Sequence, residues 1–342
     1  MHELTLTPED NAALMPMLTE IAKAYETIED PELARRAPVL ARRLPEHLIE
    51  FLEEYRLGEP SAVCRVAGLE VREEELGPTP EHWRDSQVDS PSFRQEIFFM
   101  LCASVLGDVF GWATQQDGRI MHDVLPIKGH EHYELGSNSL QHLSWHTEDA
   151  FHPCRGDYVS LMCLKNPDAV ETTVCDAGDL DFSALDVDAL FEAEFTQMPD
   201  NSHKPENASE STGDPTVDRL RRRSFALIQS WNDDPVKRPV LFGDKHAPYM
   251  ALDPYHMKTD GWSERSLAAF TGLCDQIEER MTGVTLRPGD CAFIDNFRAV
   301  HGRKSFRARY DGTDRWLKRL NVTRNLRGSR GWRPAPDNRV IY

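Results

Sequence analysis

Hydrophobic and polar positions change rhythm along this chain. In the N-terminal part they recur at helical spacing. Thr7-Pro8-Glu9-Asp10 carries a helix-start signature, with a capping threonine, proline at the first helical position and acids in the first turn. A helix is predicted from there to about Tyr25, a second over residues 32–55 and a third over residues 92–109. The third is apolar over most of its length and is predicted to be buried. Residues 181–195 and 263–281 also show helical periodicity. Elsewhere short apolar runs predict strands: residues 158–164, 284–290 entering a tight turn at Pro288-Gly289, 291–296 and 317–322. Helices followed by short strands with Pro/Gly turns predict a β-sandwich or barrel with helices on one face. Residues 201–223 are polar and rich in Ser, Asn, Glu and Pro, which predicts a long mobile loop of the kind that serves as a lid.

Composition narrows the setting. The chain has 342 residues, 40% of them hydrophobic, which permits a substantial core. The longest apolar run, residues 97–106, is too short to span a bilayer, and the acidic, polar N-terminus does not read as a secretory signal. The seven cysteines are odd in number and form no C-x-x-C pair. This favours reduced thiols in the cytoplasm, packed as small apolar residues, over a disulfide framework or a zinc ribbon. A formal charge of −18 gives nucleic acid no basic face to grip and mildly favours a cationic small molecule. No membrane or nucleic-acid partner is expected. Oligomeric state is not legible.

Candidate chemistry centres on Trp145-His146-Thr147-Glu148-Asp149. On an extended strand, side chains two apart share a face, so His146 and Glu148 can meet one metal ion. A third ligand is expected from His301, which follows the apolar run ending in Phe293-Ile294-Asp295. Two imidazoles and one carboxylate leave open coordination positions, an arrangement suited to iron(II) oxygenases. His130-Glu131-His132 is a rival cluster. Fourteen residues beyond His301, Arg315 opens a segment in which Arg315, Leu317 and Arg319 share a strand face. Two guanidinium groups on an inward face call for anions, and two small-molecule carboxylates would satisfy them.

These residues resemble the Fe(II)/2-oxoglutarate-dependent oxygenases of the clavaminate-synthase-like branch. Within it they are most similar to the L-arginine hydroxylases of guanidino-antibiotic biosynthesis (viomycin/streptothricin type). The resemblance runs through residues 107–119, 123–129, 145–151, 166–168 and 292–319. It implies an α+β fold: a double-stranded β-helix (jelly-roll) core flanked by helices. One oxygenase domain would cover residues 1–342, mainly helical over 1–90, with the core over 91–325 and a lid loop around 200–225. It implies Fe(II) held by His146, Glu148 and His301, with 2-oxoglutarate and O2 as co-substrates. Arg315, helped by Thr172, would hold the distal carboxylate of 2-oxoglutarate, and Arg319 the substrate carboxylate. Gln115 and Glu148 would receive the substrate amino group, and Asp253 the guanidinium, with Asp200 and Ser202 closing as a lid. The implied activity is hydroxylation of free L-arginine at C3, with C4 as a further position. The family pattern has a second acid two residues after Asp253, where this chain has Tyr255, which would hydrogen-bond or stack on a guanidinium without adding charge. Asparagine, a cyclic guanidino amino acid or desaturation of arginine remain open alternatives. So do an inactive jelly-roll binding protein and a zinc hydrolase.

Overall fold

A computed structural model describes residues 1–85 and 90–342. Helix α1 (Pro8–Ala22) begins at a capping box: Thr7 Oγ1 accepts from Asp10 N–H at 3.1 Å, and Asp10 accepts from Thr7 N–H at 2.8 Å. The second predicted helix is two, α2 (Pro31–Leu40) and α3 (Glu46–Gly58). Pro45 separates them, since it has no N–H to continue the ladder and disfavours helical geometry at Leu44. Helix α4 (Phe93–Leu106) is the predicted apolar helix, and Ile97 to Ala103 are fully buried.

Three expectations fail. The strand predicted over residues 284–290 lies instead at Thr282–Val284; the turn at Pro288-Gly289 is present, and the Asp290 carboxylate accepts from Arg287 N–H at 2.8 Å, which ties residues 287–290 into that turn and not into a sheet. Residues 181–195 contain only single turns, Phe182–Ala184 and Val187–Leu190, before the strand Phe195–Gln197. Asp181 and Asp186 each cap a short turn with their own side chains, which competes with a continuous helix. The predicted loop over 201–223 gives way to helix α5 (Pro215–Asp233), started by Asp214, whose carboxylate accepts from the N–H groups of Thr216 and Val217. Asp214-Pro215 repeats the cap-and-proline signature of Thr7-Pro8. Helix α6 (Glu264–Arg280), capped by Ser263, agrees with prediction.

Twelve strands build two sheets: β1 (His2–Thr5), β2 (Val63–Ala67), β3 (Asp108–Trp112), β4 (Met121–Val124), β5 (Leu143–His146), β6 (Tyr158–Lys165), β7 (Thr172–Asp176), β8 (Thr282–Val284), β9 (Cys291–Asp295), β10 (Ala299–Arg303), β11 (Trp316–Thr323) and β12 (Val340–Ile341). The larger sheet runs β1-β2-β9-β6-β11-β3-β12, with β4 also paired to β11; the smaller runs β8-β7-β10-β5. Period-two alternation sorts the large sheet's side chains. Val159, Leu161, Ala292, Ile294 and Leu317 turn toward the small sheet and pack with its Val174 and Ala299. Met162, Cys291, Phe293, Leu320 and Val322 turn the other way, against the apolar faces of α1 to α4. Lys318 also points to the helical side, where Glu96 (2.9 Å) and Asp123 (2.7 Å) neutralise it. Arg315, Leu317 and Arg319 therefore face inward, as predicted. Among the described residues, no helix is long and apolar enough to cross a membrane. All seven cysteines are free thiols.

The hairpin joining β9 to β10 turns at Asp295, whose Oδ1 accepts from Phe297 N–H (2.9 Å) and Arg298 N–H (3.2 Å). Burial pushes its carboxyl up to about 6. A folded-state value above the unfolded one means stability is fullest below about pH 4 and is lost as pH rises through 6. Asp295→Asn keeps the Oδ1 acceptor and removes the charge. It is expected to stabilise the protein by roughly 1–2 kcal/mol at pH 8 and by nearly nothing at pH 4. Thermal unfolding of both proteins at both pH values checks this, and an equal gain at each pH contradicts it.

Candidate active site

Two strands bring distant histidines together. β5 and β10 pair antiparallel with His146 opposite His301, and their rings lie 4.7 Å apart between centroids. Glu148 follows β5 and reaches back between them. Its Oε2 is 3.5 Å from His146 Nε2 and 3.4 Å from His301 Nε2. The three offer ligand atoms within 4.8 Å of one another. His146 Nδ1 donates to Ser144 C=O at 2.8 Å, which leaves Nε2 as the free nitrogen facing the cluster. His301 follows the apolar strand β9, as expected, and stands inside the next strand, β10, past the hairpin turn. Gly302 permits this strand pairing, since a Cβ there would sit 2.6 Å from Leu143 O.

The turn after β5 is tightly held. Asp149 adopts φ 51°, a left-handed conformation that aspartate tolerates better than most residues. Its carboxylate accepts from Trp112 Nε1–H at 2.6 Å and lies 2.9 Å from His203 Nε2. Asn296, from the hairpin turn, clamps the Glu148 backbone. Its Oδ1 accepts from Glu148 N–H at 2.8 Å, and its Nδ2 donates to the carbonyls of Glu148 and Gly156, each at 3.0 Å. Asn296→Ala would leave these buried groups unsatisfied, at a cost of roughly 2–4 kcal/mol. It is also expected to weaken iron binding about 10- to 100-fold, as loss of an orienting partner does. Metal titration checks this; unchanged iron affinity would contradict the role.

Charge is concentrated at the cluster. Burial alone would raise the Glu148 carboxyl, but Arg319 and hydrogen bonds with both histidines hold it well below the usual range. Burial opposes a charge on His146, yet Glu148 and Asp253 outweigh it and lift its pKa to about 10. Burial and the neighbouring His146 hold His301 below its usual value, despite its bond with Glu148. Such a site, two imidazoles around a permanent carboxylate, suits a divalent ion that displaces a proton. Arg319 donates to Glu148, to Gln115 Oε1 (2.9 Å) and to His122 Nδ1 (2.9 Å). Burial and the Arg319 charge keep His122 neutral.

The pocket holding the cluster also holds Thr172, Asp200, Ser202, Asp253, Arg315 and Arg319. Arg315 is 5% exposed and has no hydrogen-bond or ion-pair partner among the described residues; its Nε is buried and unpaired. Burial lowers its pKa to about 10. Beside it stands Arg303, lowered to about 9 by burial and by the charge of Arg315. Thr172 lies opposite Arg303 on β7. Two buried cations facing one cavity make a binding place for a carboxylate. Asp200 accepts from Ser202 N–H at 2.7 Å, and Ser202 Oγ accepts from Gln115 Nε2 at 2.6 Å. The segment around Asp200 and Ser202 is thereby tied to the pocket wall.

Gln115 follows strand β3 and faces an adjoining cavity with His122; it touches the main pocket through Arg319 and Ser202. One expectation is corrected. Tyr255 is 54% exposed and lies outside the pocket, against His142 and Trp145. Its neighbour His256 lines the pocket instead, with Nδ1 2.8 Å from Asp253 Oδ2. Burial disfavours its charge, but Asp253 and Asp200 raise its pKa nonetheless. The rival His130-Glu131-His132 does not assemble: His130 Nδ1 contacts Ser137 Oγ at 2.9 Å and His132 is exposed. Sequence reasoning missed Arg303, Asn296, His203 and His256. Arg303 was accessible by the rule that found Glu148, since it stands two residues after His301 on a strand. The others carried no local signal.

Comparison with known proteins agrees with this geometry. Over 343 residues, covering both chains completely, the sequence is 74% identical to the L-ornithine/L-arginine 3-hydroxylase of Catenulispora acidiphila. It is 45% identical, again over the full length of both, to the enduracididine beta-hydroxylase of Streptomyces hygroscopicus. The fold superimposes on the non-heme iron oxygenase OrfP, solved in complex with Fe, succinate and (3S)-hydroxy-L-Arg, with a TM-score of 0.93, 42% identity and complete coverage of both chains. Residues 100–321 match the taurine catabolism dioxygenase TauD, TfdA family. With well over half its length so matched, around a buried His-x-Glu…His cluster, the chain belongs to the TauD/TfdA family of dioxygenases.

Proposed function

We propose that this protein is an Fe(II)/2-oxoglutarate-dependent hydroxylase that acts on free L-arginine at C3, in guanidino-antibiotic biosynthesis. The carrying observation is one pocket that contains both the His146–Glu148–His301 cluster and Arg315, which has no partner among the described residues. Three protein ligands with free faces fit an iron(II) ion. A buried guanidinium a short way along the same wall fits the far carboxylate of a chelating 2-oxo acid. The OrfP complexes include one with Fe and alpha-ketoglutaric acid and one with Fe and L-Arg, which supports the same reading here. The core is read as a double-stranded β-helix within a single domain spanning residues 1–342. Free thiols throughout fit a reducing compartment such as the cytoplasm.

In this mechanism His146, Glu148 and His301 hold the metal, which supplies the oxidising chemistry together with 2-oxoglutarate and O2. Arg315, Thr172 and Arg303 orient 2-oxoglutarate by its distal carboxylate. Arg319 receives the substrate carboxylate, while Glu148 and Gln115 accept from its amino group. Asp253 receives the distal cation, and Asp200 and Ser202 close the lid segment and exclude water. These contacts fix an aliphatic carbon beside the metal, so the protein's contribution is positioning. The 74% identical relative is an L-ornithine/L-arginine 3-hydroxylase, which supports ornithine as a second substrate here.

The test is anaerobic assembly with Fe(II) and 2-oxoglutarate, an oxygen pulse with each amino acid, and mass spectrometry of the products. Arginine heavier by one oxygen atom, with hydroxyl at C3 by NMR and succinate in equal amount, is the expected result. A second oxygen would extend the reaction to C4. Succinate release that no amino acid stimulates would overturn the proposal.

A further inference from the structure

The pocket wall that carries Asp253 holds a residue given no role above. Asp253 and His256 share one turn, Pro254–His256, in which Asp253 caps the His256 N–H (3.4 Å) and lies 2.8 Å from the ring Nδ1. Both side chains line the pocket of the metal cluster. His256 Nε2 is buried and has no partner among the described residues. The charged groups it faces come from three segments: Asp253 on its own turn, Asp200 on the lid segment and His146 on β5.

One ring nitrogen engaged by a carboxylate defines the other. With Nδ1–H donated to Asp253, Nε2 of the neutral ring presents a lone pair. A cation arriving at Asp253 opposes the proton that the two carboxylates favour on the imidazole, and Nε2 accepts from that cation only in the neutral ring. The distal end of the pocket then offers two unlike acceptors, a carboxylate oxygen and an imidazole nitrogen. Arginine ends in a planar fork of N–H donors that a carboxylate matches well. Ornithine is shorter by the amidine unit and ends in a compact ammonium whose three donors need several acceptors around one point. Asp253 alone, with one oxygen already bonded to the imidazole, would leave that ammonium short of partners in a buried place, which is costly.

We infer that His256 is a specificity-determining residue: its free Nε2 lets the pocket accept an ornithine-type ammonium beside an arginine-type guanidinium. The inference rests on the arginine and ornithine reading above. Its test is kcat/KM for L-arginine and L-ornithine in the wild-type chain, His256→Ala and His256→Gln, each loaded with Fe(II) and 2-oxoglutarate. His256→Ala is expected to lower the ornithine value about 10-fold or more and the arginine value by less than about 3-fold. His256→Gln, whose amide can both donate to Asp253 and accept from the substrate, is expected to recover part of the ornithine loss. Equal losses for the two substrates in His256→Ala, or no loss for ornithine, would overturn the inference. The visible absorption of the anaerobic Fe(II)–2-oxoglutarate complex should be the same in all three proteins; if His256→Ala fails to form it, the ratio in His256→Gln decides. A wild-type chain that oxidises neither amino acid brings down the functional reading and this inference with it. A wild-type chain active on both, with an unaltered ratio in the variants, leaves the functional reading standing and removes only His256.

Discussion

His146→Ala is expected to lower substrate-stimulated succinate formation by about 1000-fold or more and to weaken iron binding by at least about 100-fold. The reason is geometric. His146 and His301 face each other across one strand pair, and Glu148 sits 3.5 Å and 3.4 Å from their Nε2 atoms. Removing one imidazole leaves two ligands, and the buried Glu148 keeps Arg319 as its main counter-charge. The fold has less reason to suffer. The His146 side chain is 18% exposed, it lines a cavity, and its one hydrogen bond to the backbone is local. Little change in thermal stability without metal is therefore expected, together with loss of the stabilisation that iron gives the wild type. Coupled turnover within tenfold of wild type would remove His146 from the metal site.

Arg315→Met separates binding from stability in opposite directions. A buried cation paired with a ligand carboxylate is worth roughly 2–5 kcal/mol when one partner is truncated. The variant is thus expected to raise KM for 2-oxoglutarate by about 30-fold or more, with a smaller change in KM for arginine. In the protein itself Arg315 has no partner among the described residues, and burial depresses its pKa to about 10. Replacing an unpaired buried charge with an apolar side chain of similar length is expected to stabilise the fold. Thermal unfolding of the protein alone should show a higher midpoint for Arg315→Met, while the gain that 2-oxoglutarate gives the wild type should vanish. A destabilised variant with unchanged KM would assign Arg315 to the scaffold.

Much of the site was legible because strand alternation is a local property. His146 and Glu148, and Arg315 with Leu317 and Arg319, were grouped by the two-residue period, and each group faces the same pocket. Arg303 obeyed the same rule after His301 and was overlooked. Tyr255 drew attention by position, but the turn begun at Asp253 sends it outward and brings His256 in. Residues 181–195 showed helical periodicity that two aspartate caps cut into single turns.

The amino-acid order by itself determined the helix starts at Thr7 and Ser263, the buried α4, and the grouping of His146 with Glu148 and of Arg315 with Leu317 and Arg319. Those follow from capping groups and periodicity, which act over a few residues. Only the tertiary structure decided that His146 lies opposite His301, that Asn296 clamps the Glu148 backbone, and that Arg315 is left without a partner among the described residues while Lys318 is neutralised. Neighbouring positions on one strand were sorted to opposite fates because two different surfaces, helices outside and a second sheet inside, pack against its two faces. That choice is made by long-range contacts, and no local pattern encodes which charge will find its partner in the chain and which must wait for a ligand.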